Sequence, residues 1–160
     1  MTLAVRAVGW DHPDASKLRA SQSQEINPTG LDEAGVIPTA ADMAVFLVAY
    51  LGPDAVACGG LRHLVDATEE TCKDVAEIRR MFVVPEVRGR IHQGRHVGEF
   101  LLQALGQEAR DRGWLVLKLE TGTIMTRARR FYERHGFIEC SIFGTYCASP
   151  LSVFYRKALA

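Results

Sequence analysis

One stretch, VVPEVRGRIHQGRHVGEFLLQALGQEARDRG at residues 83–113, constrains the fold more than any other part of the chain. An apolar run closes at Pro85, a loop rich in glycine and arginine follows, and an amphipathic helix then begins. Val97, Phe100, Leu101, Ala104 and Leu105 fall at i, i+3, i+4, i+7 and i+8, so they share one helical face. Gln103, Gln107, Arg110 and Asp111 lie off that face, and Gly113 ends the helix. The first amides of a helix lack internal partners and sit at the positive end of its dipole, which suits them to phosphate oxygens. Gly89, Gly94 and Gly98 let a ligand approach the main chain, while Arg88, Arg90 and Arg95 supply charge. A solvated basic loop has the same composition, so the flanking elements must decide.

Upstream, residues 2–10 (TLAVRAVGW) alternate as a first strand. DHPDASKLRASQSQEI follows, with Asp11 or His12 as cap and Pro13 at the first helical position. Residues 27–43 carry Pro, Gly, Asn and Asp without a period and read as a long surface loop, with room for a helical turn at TAADM. Loops of this kind often carry substrate contacts. Two β-rich runs around Gly52-Pro53-Asp54 read as a hairpin, and residues 74–86 supply a third run. Downstream, WLVLKLET reads as a buried strand, IMTRARRFYERH as a second helix closed by Gly136, and GFIECSIF with PLSVFYRKAL as a closing strand pair. The order β, α, β hairpin, β, α, β, α, β, β predicts a mixed α/β fold, a mostly antiparallel central sheet flanked by helices. There is no internal repeat or interdomain linker, and 160 residues, 48% of them apolar, suit one domain over 1–160.

Formal net charge is +0, which gives no global attraction to nucleic acid or to a membrane surface. Anion binding must therefore be local. Cys58, Cys72, Cys140 and Cys147 have no CxxC spacing and read as free thiols of a reducing cytoplasm. The N-terminal apolar run is too short for a signal peptide and no stretch is long enough to span a bilayer, so a soluble cytoplasmic protein is expected. The five histidines lack ligand spacing such as HExxH, and no metal is expected. No Ser-His-Asp set or reactive cysteine stands out. A Rossmann fingerprint needs an acid about twenty residues beyond its glycines, and a P-loop needs GK followed by Ser or Thr. Neither is present.

The succession EIRRMFVVPEVRG, VGEFLLQALGQEARDRG and LETGTIMTRARRFYERHGF resembles, element by element, the GNAT superfamily of acyl-CoA-dependent N-acyltransferases. The acyl-CoA motif of that family runs from a strand ending in V-x-P, through RG-x-G-I-G, into a helix with LL. Its later A-x-x-x-Y-x-x-x-G-F is matched by Ala128, Tyr132, Gly136 and Phe137. The resemblance covers residues 58–159, and GGLR, EIRRMFV, LETG, FGTY and PLSVFYRK suggest a bacterial subgroup of small-molecule acetyltransferases. The loop departs from the pattern: IHQG is inserted between RGR and RHVG, and His96 stands where the family prefers glycine. A neutral His96 would crowd a pyrophosphate, and a protonated one would pair with it.

The resemblance implies a GNAT-like acyltransferase with acetyl-CoA as co-substrate, passing an acetyl group to a primary amine in a ternary complex. It implies Arg95, His96, Val97, Gly98 and Glu99 as main-chain donors beside Gly94, with Arg88 and Arg90 as phosphate contacts. Met81, Phe82 and Val83 match the strand whose backbone pairs with the pantetheine arm, with N–H groups near Phe82 and Val83 polarising the thioester carbonyl. Glu77 matches a carboxylate that deprotonates the amine, often through water, a step needed because an alkylammonium has a pKa near ~10. Glu120 is a second candidate, and pairing of Glu77 with Arg79 or Arg80 is the plain structural alternative. Tyr132 matches the tyrosine that faces the cofactor sulfur; a core aromatic on one face with Ala128, Phe131 and His135 is its alternative. A phenol is a weaker acid than a thiol by ~1.5 units, so a hydrogen bond that strengthens as charge grows suffices.

The acceptor is expected against the 27–43 loop, Glu25 on the first helix and Tyr146 in FGTYCASP. Glu25, Asp32, Glu33 and Asp42 would favour a cationic substrate. A small metabolite, a peptide N-terminus and a protein lysine stay open as acceptors, as does a homodimer through the sheet edges. Neither nucleic acid nor membrane is expected as a partner. The inserted loop keeps a rival in view, a non-catalytic acyl-CoA-binding or regulatory module, and behind it a structural domain that binds no nucleotide.

Overall fold

The computed structural model describes residues 1–26, 38–64 and 74–159; the expectations for Asp32, Glu33 and Cys72 lie outside the described residues. The chain runs β1 (Leu3–Ala7), α1 (Pro13–Ile26), β2 (Val45–Leu51), β3 (Asp54–His63), β4 (Val75–Val83), β5 (Ile91–His92), β6 (Arg95–His96), α2 (Val97–Asp111), β7 (Val116–Gly122), α3 (Thr126–Arg134), β8 (Ile138–Cys140) and β9 (Ser152–Ala158). The predicted order is found, with one addition. The inserted residues fold as their own hairpin, β5–β6. The turn anticipated in TAADM is a short 3-10 helix at Ala40–Asp42.

Seven strands form one sheet in the order β1-β2-β3-β4-β7-β9-β8. Every neighbouring pair is antiparallel except β4 with β7. β2 shows how the layers form. All of its residues are buried, with no polar alternation, because both faces are covered. Leu47, Ala49 and Leu51 join the apolar layer that holds α2 and Tyr132 of α3, while Phe46, Val48 and Tyr50 pack with Ala15 and Leu18 of α1 on the other face.

Helices α2 and α3 both end on a glycine, and the geometry matters for the site. In α2, Gly113 N–H donates to Arg110 O at 2.9 Å and Trp114 N–H to Ala109 O at 2.9 Å. In α3, Gly136 N–H donates to Glu133 O at 3.2 Å and Phe137 N–H to Tyr132 O at 3.0 Å. The glycines take the left-handed conformation this termination needs, φ +79° and +89°. The Phe137 ring packs edge-on against Tyr132 at 5.4 Å between centroids, as such a cap favours. The Tyr, Gly and Phe of the sequence motif are thus one helix stop that fixes the tyrosine. Among the described residues no helix is long and apolar enough to cross a membrane, and Cys58 and Cys147 are free thiols.

Candidate active site

β4 changes character along its length. From Val75 to Glu77 it pairs with β3 on one side and with β7 on the other, Glu77 lying opposite both Arg62 and Lys118. A bulge follows: Gly60 pairs with Arg79 but Cys58 with Phe82, so Arg80 and Met81 oppose Gly59 alone. Arg80 absorbs the extra residue at φ +59°, a costly conformation for a side chain with a Cβ. Beyond it Val84 N–H donates to Val56 O at 2.9 Å. Antiparallel partners alternate between bonded and non-bonded pairs, so Phe82 turns its main chain to β3 and Met81 and Val83 turn theirs away. On that side β7 has parted, since its pairing with β4 ends at Glu77 and Lys118. The two outward carbonyls are met by side chains, Gln22 Nε2 on Met81 O at 2.9 Å and Arg88 Nε on Val83 O at 2.8 Å.

Ala76 and Ile78 face the layer of α2, so Glu77 faces the opposite side of the sheet. Its side chain is fully buried. Oε1 accepts from Arg62 Nη2 at 2.8 Å, Oε2 accepts from Tyr146 Oη at 2.5 Å, and Arg79 Nη1 lies 3.8 Å from Oε2. A buried carboxylate persists only with such partners. The pairing with Arg79 that the sequence offered is present, and Arg62 is the tighter partner. Tyr146 packs on Phe143 and Phe154 at 5.5 and 5.3 Å. Burial first, then the Glu77 charge, raises its phenol far above the ordinary range. Glu120 shares the Glu77 face but is engaged elsewhere, accepting from Ser152 Oγ at 2.7 Å.

On the α2 face, Tyr132 is buried in the apolar layer with Val97 and Leu101. Burial pushes this phenol upward too. His96 is the N-cap of α2, with an extended backbone and no side-chain cap, leaving the first amides of the helix uncapped by it. A Cβ on Gly98 would stand 3.3 Å from Phe131 and 3.6 Å from Val83, so glycine is what lets α3 close onto this turn. A groove of about 380 Å³ runs past the turn, lined by His96, Glu99, Phe131, Arg134 and His135. Partial burial holds His135 below the usual imidazole range; Glu99 opposes this, and Arg134, Lys157 and His96 add to it.

The inserted hairpin turns on Gln93 and Gly94, at φ +53° and +79°, a two-residue connection whose twist matches its strands. Gln93 Oε1 accepts from Leu3 N at 3.3 Å, tying the tip to the start of β1. His96 Nδ1 lies 3.2 Å from Arg90 O, a contact that needs the proton on Nδ1. Arg88 is committed to Glu25 through two 2.8 Å bonds, besides its hold on Val83 O. Arg95 bonds Gln103 and lies over Phe100 at 4.5 Å, while Arg90 is exposed.

The fold thus joins Glu77 with Tyr146, Arg88 with Glu25 and Val83, and Tyr132 with Val97 in one apolar layer. Three neighbours of the site were not singled out by the sequence. Arg127 Nη2 lies 3.9 Å from the place a Cβ on Gly89 would take, which brings a cation of α3 to the loop. Arg62 stands opposite Glu77 across the β3–β4 ladder. Gln22 is the third, and Ala15, Leu18 and Gln22 at i, i+3 and i+7 are the signal for it, a polar residue on a buried stripe. Among the described residues, no group of three or more His, Cys, Asp and Glu is placed to hold a metal ion.

The family model of the Acetyltransferase (GNAT) domain matches residues 42–139. The chain belongs to the GNAT acetyltransferase family. This GNAT chain is 35% identical over 114 residues to the IAA acetyltransferase of Azospirillum brasilense, covering 71% of its own length and 67% of that protein. It is 34% identical over 116 residues to the uncharacterized N-acetyltransferase YsnE of Bacillus subtilis (strain 168), covering 71% and 69%. Its fold superposes on a candidate acyl-CoA N-acyltransferase from Klebsiella pneumoniae with TM-score 0.77 and 26% identity over 99% of both chains. yncA of Salmonella typhimurium, solved with its cofactor acetyl-CoA, has the same fold at TM-score 0.68 and 16% identity, over 100% of this GNAT chain and 95% of that one.

Proposed function

We propose that the chain transfers an acetyl group from acetyl-CoA to a primary amine by direct attack within a ternary complex. The observation that carries this reading is the parting of β4 from β7 after Glu77, with the carbonyls of Met81 and Val83 turned off the β3 ladder and met only by side chains. The gap lies between an uncapped helix start on one face and a buried acid on the other. Acetyl-CoA, when bound, supplies an acyl group already activated as a thioester.

The residues present fit that co-substrate. Amides from Arg95 to Glu99 meet the pyrophosphate at the first turn of α2, with the exposed Arg90 and Arg127 as nearby cations. The groove along Phe131 and His135 takes the nucleotide end. Met81 and Val83 pair with the pantetheine arm as with an added strand, and the Met81 amide polarises the acyl oxygen. The Tyr132 hydroxyl bonds the sulfur as charge develops there.

Glu77 has no exposed surface, and Tyr146 covers one of its oxygens. Tyr146 therefore meets the ammonium: its oxygen takes a proton from nitrogen while its own proton passes to Oε2 of Glu77, which holds it until Tyr146 returns it to solvent after the product leaves. The nitrogen then forms its bond to the acyl carbon, the C–S bond breaks with its electron pair going to sulfur, and a second proton of the amine ends on the thiol. Holding both reactants in one cleft supplies much of the acceleration.

Calorimetry with acetyl-CoA, followed by release of free CoA thiol across a panel of primary amines, tests the reading. Binding with turnover supports it. Binding without turnover on any amine favours the non-catalytic acyl-CoA-binding module, and absence of binding removes both.

A further inference from the structure

Beyond the family machinery, we infer that Gln22 receives the acceptor, its side-chain oxygen taking an N–H of the incoming amine beside the thioester. The inference rests on the transferase reading above. It starts from a side chain in the wrong chemical class for its place. α1 buries Ala15, Leu18 and Gln22 on one stripe, and Gln22 is only 7% exposed. A leucine there would meet the apolar layer without burying an amide.

The amide is used at one end only. Nε2 donates to Met81 O at 2.9 Å, which also settles which end is nitrogen, since the reversed amide would set two carbonyl oxygens together. Oε1 is buried and has no hydrogen-bond partner among the described residues. An acceptor oxygen left unpaired away from water is unfavourable, so a buried orphan of this kind marks a place where a donor arrives from outside.

Location says which donor. Met81 is the second residue of the bulge and turns its carbonyl off the β3 ladder beside the β4–β7 gap, and the rigid amide of Gln22 keeps Oε1 close to the same carbonyl. The site therefore borders the thioester end of the bound arm and not its phosphates. A primary amine suits the oxygen well. One N–H can be held by Gln22 while the lone pair remains free to attack and another proton leaves through Tyr146. An alcohol has a single proton and must choose between the two, so the arrangement favours amines over alcohols.

The test compares wild type with Gln22→Met, which keeps length and removes both polar atoms. The expected result is an amine KM raised about tenfold, the usual effect of losing a charge-assisted bond, with the acetyl-CoA Kd within about twofold of wild type. An unchanged amine KM, or equal losses for both substrates, overturns the inference, the second outcome meaning that Gln22 merely holds Met81. Should Gln22→Met fail to fold, ¹⁵N spectra of the wild type decide. Adding the best amine among tyramine, spermidine, ethanolamine and L-methionine to CoA-saturated protein must shift the Gln22 side-chain amide, and a static signal overturns the inference. If the wild type releases no thiol with any amine, the transferase reading falls and takes this inference with it. Turnover with an indifferent Gln22 removes this inference alone.

Discussion

The two halves of β4 invite comparison. From Val75 to Glu77 the strand is bonded on both edges, and what it offers the site is a side chain locked by Arg62, Arg79 and Tyr146. From Met81 to Val83 it is bonded on one edge, and what it offers is main chain. A single bulge at Arg80 separates them. Side-chain chemistry needs a rigid surround, because a buried charge must keep its partners. Backbone recognition needs a missing neighbour, because only an unpaired edge can accept another strand.

The largest effect should come from unlocking the lower half. Glu77→Ala leaves Arg62 and Arg79 without their carboxylate and should cost about 3–5 kcal/mol in urea unfolding. Glu77→Gln keeps the shape and should lower kcat about 100-fold with the acetyl-CoA Kd little changed. If both variants turn over normally, the lower half is scaffold only. Next in size is Tyr132→Phe, which removes a phenol hydroxyl from the α2 side of the sheet. Steady-state rates should fall tens of fold, roughly the loss of one well-placed donor, with folding intact because the ring that fills the layer is kept.

The upper half is probed by Val83→Pro, which deletes an amide that β3 does not use. Acetyl-CoA affinity should drop about tenfold in calorimetry with little loss of melting temperature. A collapse of the fold would show that the amide is a ladder bond after all. The smallest effect is alkaline. Cys58 lies behind the bulge, its thiol donating to Arg80 O at 3.3 Å, and burial pushes its pKa up to about 12 from 9.0. The unfolded thiol ionises first, so the native state binds the extra proton between those values. Stability is then level below pH ~9 and declines by about 1.4 kcal/mol per pH unit above it, until the native thiol also ionises. Tyr50, also raised to about 12, steepens the decline above pH ~10. Cys58→Ala should flatten the first part of that slope in pH-dependent denaturation.

What could be read from the sequence follows the same division. The order of strands and helices was legible because periodicity and glycine stops are local signals, as at Gly113 and Gly136. Glu77 and Tyr132 were legible as positions within motifs. The bulge was not, since no glycine marks Arg80 and its position emerges only from pairing with β3. The phase change it causes, which turns Met81 and Val83 rather than Phe82 to the gap, is a tertiary fact. The β5–β6 hairpin escaped because strands of two residues carry no period, and Gln93 is an unusual residue for the first turn position. Gln22 escaped because a lone glutamine on a short stripe reads as surface.

Amide hydrogen exchange at Met81, Phe82 and Val83, with and without CoA, tests the central claim most directly. The account predicts that Phe82 is protected in both states and that Met81 and Val83 exchange readily until CoA is added and slowly thereafter, with Val97, Gly98 and Glu99 slowing in parallel. Protection of all three β4 amides without ligand, or CoA binding that leaves Met81 and Val83 unchanged, would contradict it.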